Sequence, residues 1–169
     1  FPVEVDIREY RLAAAGHVEG PFLLTMSDHL LPVDGLARLR AQAETGRDLV
    51  LLVDKGTSQV HDLDDATKVR LDGDRITAIA KELPDFDAID TGAFLAGPAL
   101  LEALAALDVG RSAPDASGDS GIPGAPDHAH KGPSLSDGVR RLAAEGRAWV
   151  VDGTGLMWQD VDTPDDVAV

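Results

Sequence analysis

The sequence predicts an α/β domain with a mostly parallel mixed sheet flanked by helices, and three patterns carry that expectation. The apolar run Pro21 to Leu31 halts at Ser27-Asp28-His29 and is followed by helix-forming residues and then the wholly apolar Leu49 to Val53, a strand–helix–strand order. An alternating segment on each side of Asp72-Gly73-Asp74 reads as a hairpin. Pro98 opens an Ala/Leu-rich stretch of helical length that ends before Gly110.

Taken in order, Asp6 to Ala15 carries helix formers with Gly16 as a stop. Pro21 to Ser27 is expected as a buried strand delivering an acid to the edge of a sheet. Leu36 to Ala43 is helical in composition and ends near Gly46, and Leu49 to Val53, with no polar residue, has the mark of a central strand covered on both faces. Thr67 to Leu71 and Arg75 to Ala80 form the hairpin. Phe86 to Leu95 is a further apolar segment broken by Asp90-Thr91-Gly92, and a glycine inside a strand pattern marks close approach of a ligand or of another backbone.

Residues 111 to 133 are dense in Gly, Pro, Ser and Asp with almost no large apolar side chain. Such a stretch cannot bury enough surface to offset its ordering entropy, so it is expected as a flexible insertion. Its His128 and His130 are read as incidental, not as a metal site. Ser134 with Asp137 three residues on is a helix N-cap signature, Gly146 closes that helix, Trp149 to Val151 is a strand, and Asp152-Gly153 a turn. The whole of residues 1 to 169 is expected to be a single domain.

Composition removes several function classes. A net charge of −15 argues against nucleic acid or an anionic membrane as partner, because phosphate-rich surfaces need an excess of basic groups. With no cysteine there is neither a disulfide framework nor a thiolate zinc site, and the chain suits a reducing cytoplasm. No apolar run approaches the ~20 residues that span a bilayer. Gly-x-Ser-x-Gly and His-Glu-x-x-His are absent, which leaves covalent hydrolase and zinc protease readings without support.

What remains is a pair of acids at element ends. Asp28 follows the first apolar run, and Asp160 follows Trp158-Gln159 just ahead of Pro164. Ligands of open α/β sheets gather at the carboxyl ends of strands, and Mg²⁺ takes one or two carboxylates while filling its octahedron with water and phosphate oxygens. Each acid has a plainer reading. Asp28 could cap a turn, and Asp162, on the same face as Asp160, competes with it; Asp165 and Asp166 suit a helix N-terminus. Lys81 is a scarce lysine at a strand end, able to hold a phosphate as a point charge or simply to stand in solvent. Thr91 and Gly92 could equally form a bulge.

Four blocks in order, SDHL after an apolar strand, AIDTGAFLAGPALLEAL, SLSDGVRRLAAEG and WQDVDTPDDV, resemble the sugar-phosphate nucleotidyltransferase superfamily, and within it the CTP:inositol-1-phosphate cytidylyltransferases. The resemblance runs from about Pro21 onward. It implies a GT-A or Rossmann-like nucleotidyltransferase fold, with Asp28 and Asp160 holding Mg²⁺ against the phosphates of a nucleoside triphosphate, CTP by preference. It further implies that Lys81 meets the phosphate of a phosphorylated polyol or sugar acceptor, and that Ser27, His29, Thr91 and Gly92 contact substrate. The Gly-rich loop with a basic residue that opens the family does not occur here. The chain is therefore expected to be a C-terminal portion, incomplete at its N-terminus, that does not turn over nucleotide by itself. The rival expectation is a non-catalytic ligand-binding or regulatory module on a degenerate version of the fold.

Overall fold

The structure is a computed structural model that describes residues 18–56, 63–111 and 132–161. The expected helix at Asp6 to Ala15, all but the ends of the insertion at 111–133 with its two histidines, and Asp162, Asp165 and Asp166 lie outside the described residues.

The elements in chain order are β1 (Phe22–Thr25), β2 (His29–Leu30), α1 (Val33–Arg40), a 3₁₀ turn (Ala43–Thr45), β3 (Leu49–Asp54), β4 (Lys68–Asp72), β5 (Arg75–Ala80), β6 (Ala88–Ala96), α2 (Pro98–Arg111), α3 (Leu135–Ala144), β7 (Trp149–Asp152) and β8 (Gln159–Asp160). Six strands form one sheet in the order β1-β6-β3-β7-β5-β4, with β4 also touching β6, and β2 and β8 form a separate two-stranded ribbon.

The α/β class and the mixed, helix-flanked sheet are as expected, but the pairing is not mostly parallel. Among the described pairings only β3 with β7 is parallel. A strand–helix–strand pattern fixes direction, not adjacency. β6 lies between β1 and β3 and antiparallel to both, so those two strands run the same way without touching.

β3 is buried along its whole length. Its alternate residues feed two cores: Leu49, Leu51 and Val53 face α2 and α3 together with Phe94, Leu100 and Leu142, while Val50 and Leu52 face α1 through Leu39. Each fully buried Leu or Val contributes about 1.5–3 kcal/mol of burial. α3 begins at the expected cap: the Ser134 hydroxyl accepts the Asp137 N–H at 3.2 Å, and Asp137 Oδ2 accepts the Ser134 N–H at 2.7 Å. Desolvation raises the Asp137 pKa, but Arg140 and Ser134 outweigh it and hold the carboxyl at about 2.

The first apolar run corrects the reading of it as a buried strand. β1 is an edge strand in which Phe22 and Leu24 are half-buried while Leu23 is exposed. Its register with β6, Thr25 opposite Ala93, is continued by the Met26 N–H donating to the Gly92 carbonyl at 3.0 Å, which aims Ser27-Asp28-His29 past the sheet's end.

Candidate functional site

β1, β3 and β7 share a direction, so their carboxyl ends lie on one side of the sheet. Asp28 follows β1, Asp54 ends β3 and Asp152 ends β7. The chain around Asp160 reaches this edge as β8, antiparallel to β2, with His29 opposite Asp160 and the Val161 N–H donating to the Asp28 carbonyl at 2.9 Å. The two acids therefore meet through a short antiparallel ribbon, not at the ends of neighbouring parallel strands.

Ligand atoms of Asp28, His29 and Asp160 all lie within 4.8 Å of one another. His29 Nε2 is 3.9 Å from Asp28 Oδ1 and 3.6 Å from Asp160 Oδ1. Both acids are about half exposed, whereas the His29 side chain is only 14% exposed. The other ring nitrogen, Nδ1, lies 2.8 Å from the Thr91 carbonyl, an acceptor. Nδ1 therefore carries a proton, and Nε2 faces the carboxylates. Around an octahedral ion with bonds of about 2.0–2.1 Å, neighbouring donors stand roughly 3 Å apart and opposite ones about 4 Å. The 4.8 Å limit on the separation of the ligand atoms lies just above the wider of these spacings. The donor set of two carboxylates open to solvent suits a hard cation such as Mg²⁺, with the imidazole beside them.

Gly92 accounts for the packing of the ring. Its φ is +75°, and a Cβ there would overlap the His29 ring and lie 2.9 Å from Met26 Cγ. The Gly92 N–H donates to Asp90 Oδ1 at 2.8 Å. Thr91 is buried and its hydroxyl donates to the Leu52 carbonyl at 2.8 Å, so it is the Thr91 backbone that faces His29. Ser27 is exposed, immediately before the cluster. Lys81 is exposed at the end of β5, where its ammonium pairs with Asp65 Oδ1 at 2.6 Å; it is not part of the acid–histidine cluster.

Three residues of this edge were not singled out from the sequence. Asp54 is 3% exposed and accepts the Trp158 indole N–H at 2.9 Å and the Gly56 N–H at 2.7 Å. Trp158 stacks on His29 with ring centroids 6.1 Å apart and planes at 23°. Asp90 is partly buried, and desolvation pushes its carboxyl up to about 6, against the Gly92 N–H and the charge of His29, which pull it down. The signal for Asp54 and Asp90 was an acid closing or interrupting an otherwise apolar strand.

The mixed sheet with helices on both faces superposes on solved nucleotidyltransferases. The inositol-1-phosphate CTP transferase from T. maritima superposes with a TM-score of 0.71 at 21% identity, over 94% of this chain and 56% of that one. In sequence the chain is 33% identical over 150 residues, 89% of its length, to a bifunctional IPC transferase and DIPP synthase of Thermococcus kodakarensis, and 33% identical over 159 residues, 92% of its length, to the protein of that name in Rubrobacter xylanophilus. It spans 28% and 30% of those two relatives. The resemblance to the sugar-phosphate nucleotidyltransferases, and within them to the enzymes that act on CTP and inositol 1-phosphate, thus holds over most of the chain. No protein-family model matches the chain.

Proposed function

We propose that this chain is the metal-binding and acceptor-side portion of a nucleotidyltransferase that moves a cytidylyl group from CTP to inositol 1-phosphate or a related sugar phosphate. In that reaction a phosphate oxygen of the acceptor attacks the α-phosphorus of CTP, the bond from that phosphorus to the oxygen bridging to the β-phosphate breaks, and pyrophosphate leaves. Such chemistry asks mainly for positioning and charge neutralisation, without a covalent intermediate.

The convergence of Asp28, His29 and Asp160 carries the reading. In it, Asp28 and Asp160 hold Mg²⁺, whose contribution when bound is to neutralise charge on the nucleotide phosphates. His29, its tautomer set by the Thr91 carbonyl, presents Nε2 beside the ion. Ser27, Thr91 and Gly92 form the acceptor side. Lys81 exchanges Asp65 for the acceptor phosphate. Among the described residues no helix is long and apolar enough to cross a membrane.

The test has two arms. Thermal melting of the chain with and without Mg²⁺ should show stabilisation by the ion that Asp28→Asn and Asp160→Asn each remove. In the longest natural protein that contains this chain, pyrophosphate release from CTP and inositol 1-phosphate should fall by at least about 100-fold in either variant, a loss of roughly 2.7 kcal/mol or more of transition-state stabilisation. An unchanged Mg²⁺ shift in both variants removes the metal pair. Release from another nucleotide but not CTP would replace the base and leave the reaction class in place.

A further inference from the structure

The buried carboxylate of Asp54 has no part in the reaction just described, yet it is connected to the cluster. It ends β3, and both its oxygens are engaged: Oδ1 by the Gly56 N–H at 2.7 Å and Oδ2 by the Trp158 indole N–H at 2.9 Å. The indole has one polar atom, a donor. An acceptor fixed at the end of the sheet's central strand therefore sets the rotation of the whole ring. That ring lies over His29, whose other restraints are the Thr91 carbonyl at 2.8 Å and the missing side chain of Gly92. Trp158 also stands two residues ahead of Asp160, immediately before β8. One side chain thus stacks on the histidine and sits next to the strand that carries the second acid.

We propose that Asp54 and Trp158 are positioning residues, the buried carboxylate orienting the indole and the indole holding His29 and the Asp160 strand in the geometry that faces Asp28. The proposal rests on reading the cluster as a cation site. Partners one layer out from metal ligands orient them, and removing such a partner weakens metal affinity by about 10–100-fold. What Asp54 adds is a buried anchor at an edge where both carboxylates are half exposed.

The experiment is NMR on the chain, with the His29 ring signals assigned through His29→Gln and Mn²⁺ as the probe ion. In the wild type the Trp158 indole N–H should exchange slowly with solvent. Asp54→Asn should move the His29 ring signals and weaken Mn²⁺ binding about tenfold. In a Trp158→Phe background, where the indole N–H is gone, Asp54→Asn should move them no further. A direct effect of the Asp54 charge would survive in that background, so equal shifts with and without the indole overturn the proposal. So does a freely exchanging Trp158 N–H in the wild type, a result that needs no variant to fold. The cation reading is judged separately: Mn²⁺ should broaden the His29 signals in the wild type and not in Asp28→Asn. If broadening is absent while the indole-dependent coupling persists, the metal site falls and the positioning stands.

Discussion

The two ends of the central strands treat acids differently. At the amino ends of β3 and β7 they are matched with guanidinium groups: Arg147 reaches Asp48 at 2.9 Å and Glu145 at 3.0 Å, Arg47 reaches Asp74 at 2.6 Å, and Arg47 and Arg75 both lie over the Trp149 ring. At the carboxyl ends the partners are backbone N–H groups, an indole and an imidazole, while Lys55 stands 3.8 Å from the Asp152 carboxylate and Arg38 donates to the Asp152 main-chain carbonyl at 2.7 Å. The Thr154 hydroxyl, with its N–H and Lys55 adding to it, holds the Asp152 carboxyl below the usual range. The amino end gains stability from its charges. The carboxyl end keeps a desolvated acid, Asp90, and two half-exposed ones, Asp28 and Asp160, on the same side of the sheet, and perturbed carboxyls of this kind are more common at functional sites than elsewhere.

That contrast can be broken most sharply at Gly92. Gly92→Ala forces a left-handed backbone on a residue with a Cβ and drives that Cβ into the His29 ring, so denaturant unfolding should show a loss of about 2–4 kcal/mol. An alanine variant as stable as the wild type would mean that the ring slides aside easily and is not seated.

Asp90 tests the opposite sign. A carboxyl raised to about 6 in the folded state is indifferent below the ordinary aspartate pKa of about 3.9, where both states hold the proton, and increasingly destabilising as pH rises through about 6. Asp90→Asn keeps an oxygen for the Gly92 N–H and removes the charge. It should stabilise the fold by roughly 2–3 kcal/mol at pH 7.5 and by little at pH 4. A benefit that does not change with pH would place the strain elsewhere.

The smallest effect belongs to the amino end, where Arg47→Gln removes one ion pair and one cation–π contact and should lower stability by about 1 kcal/mol, less at high salt. Loss of Mg²⁺ binding in that variant would erase the distinction between the two ends.

Much of this architecture was legible because it is local. The all-apolar LVLLV became the doubly covered β3, Asp72-Gly73-Asp74 turned the hairpin with Gly73 at positive φ, Ser134 and Asp137 formed their box, and Gly146 ended α3 in the left-handed region. Asp28 and Asp160 were legible as acids closing apolar runs. Their manner of meeting was not, since a two-residue strand such as β2 or β8 has too little pattern to be seen. Nor was the insertion of β6 between β1 and β3, which depends on which edges find each other in space. Asp54 and Trp158 escaped notice for the same reason: one hydrogen bond joins positions 104 residues apart.

The ribbon has one more consequence. His29 and Asp160 stand opposite each other although about 130 residues separate them along the chain, so an ion shared by Asp28 and Asp160 closes a loop of that length. Cross-linking residues so distant removes more freedom from the unfolded chain than a clip within a single turn, by the logic usually applied to disulfides. In these 169 residues, which hold no cysteine, a divalent ion at this place would serve as a staple across that loop.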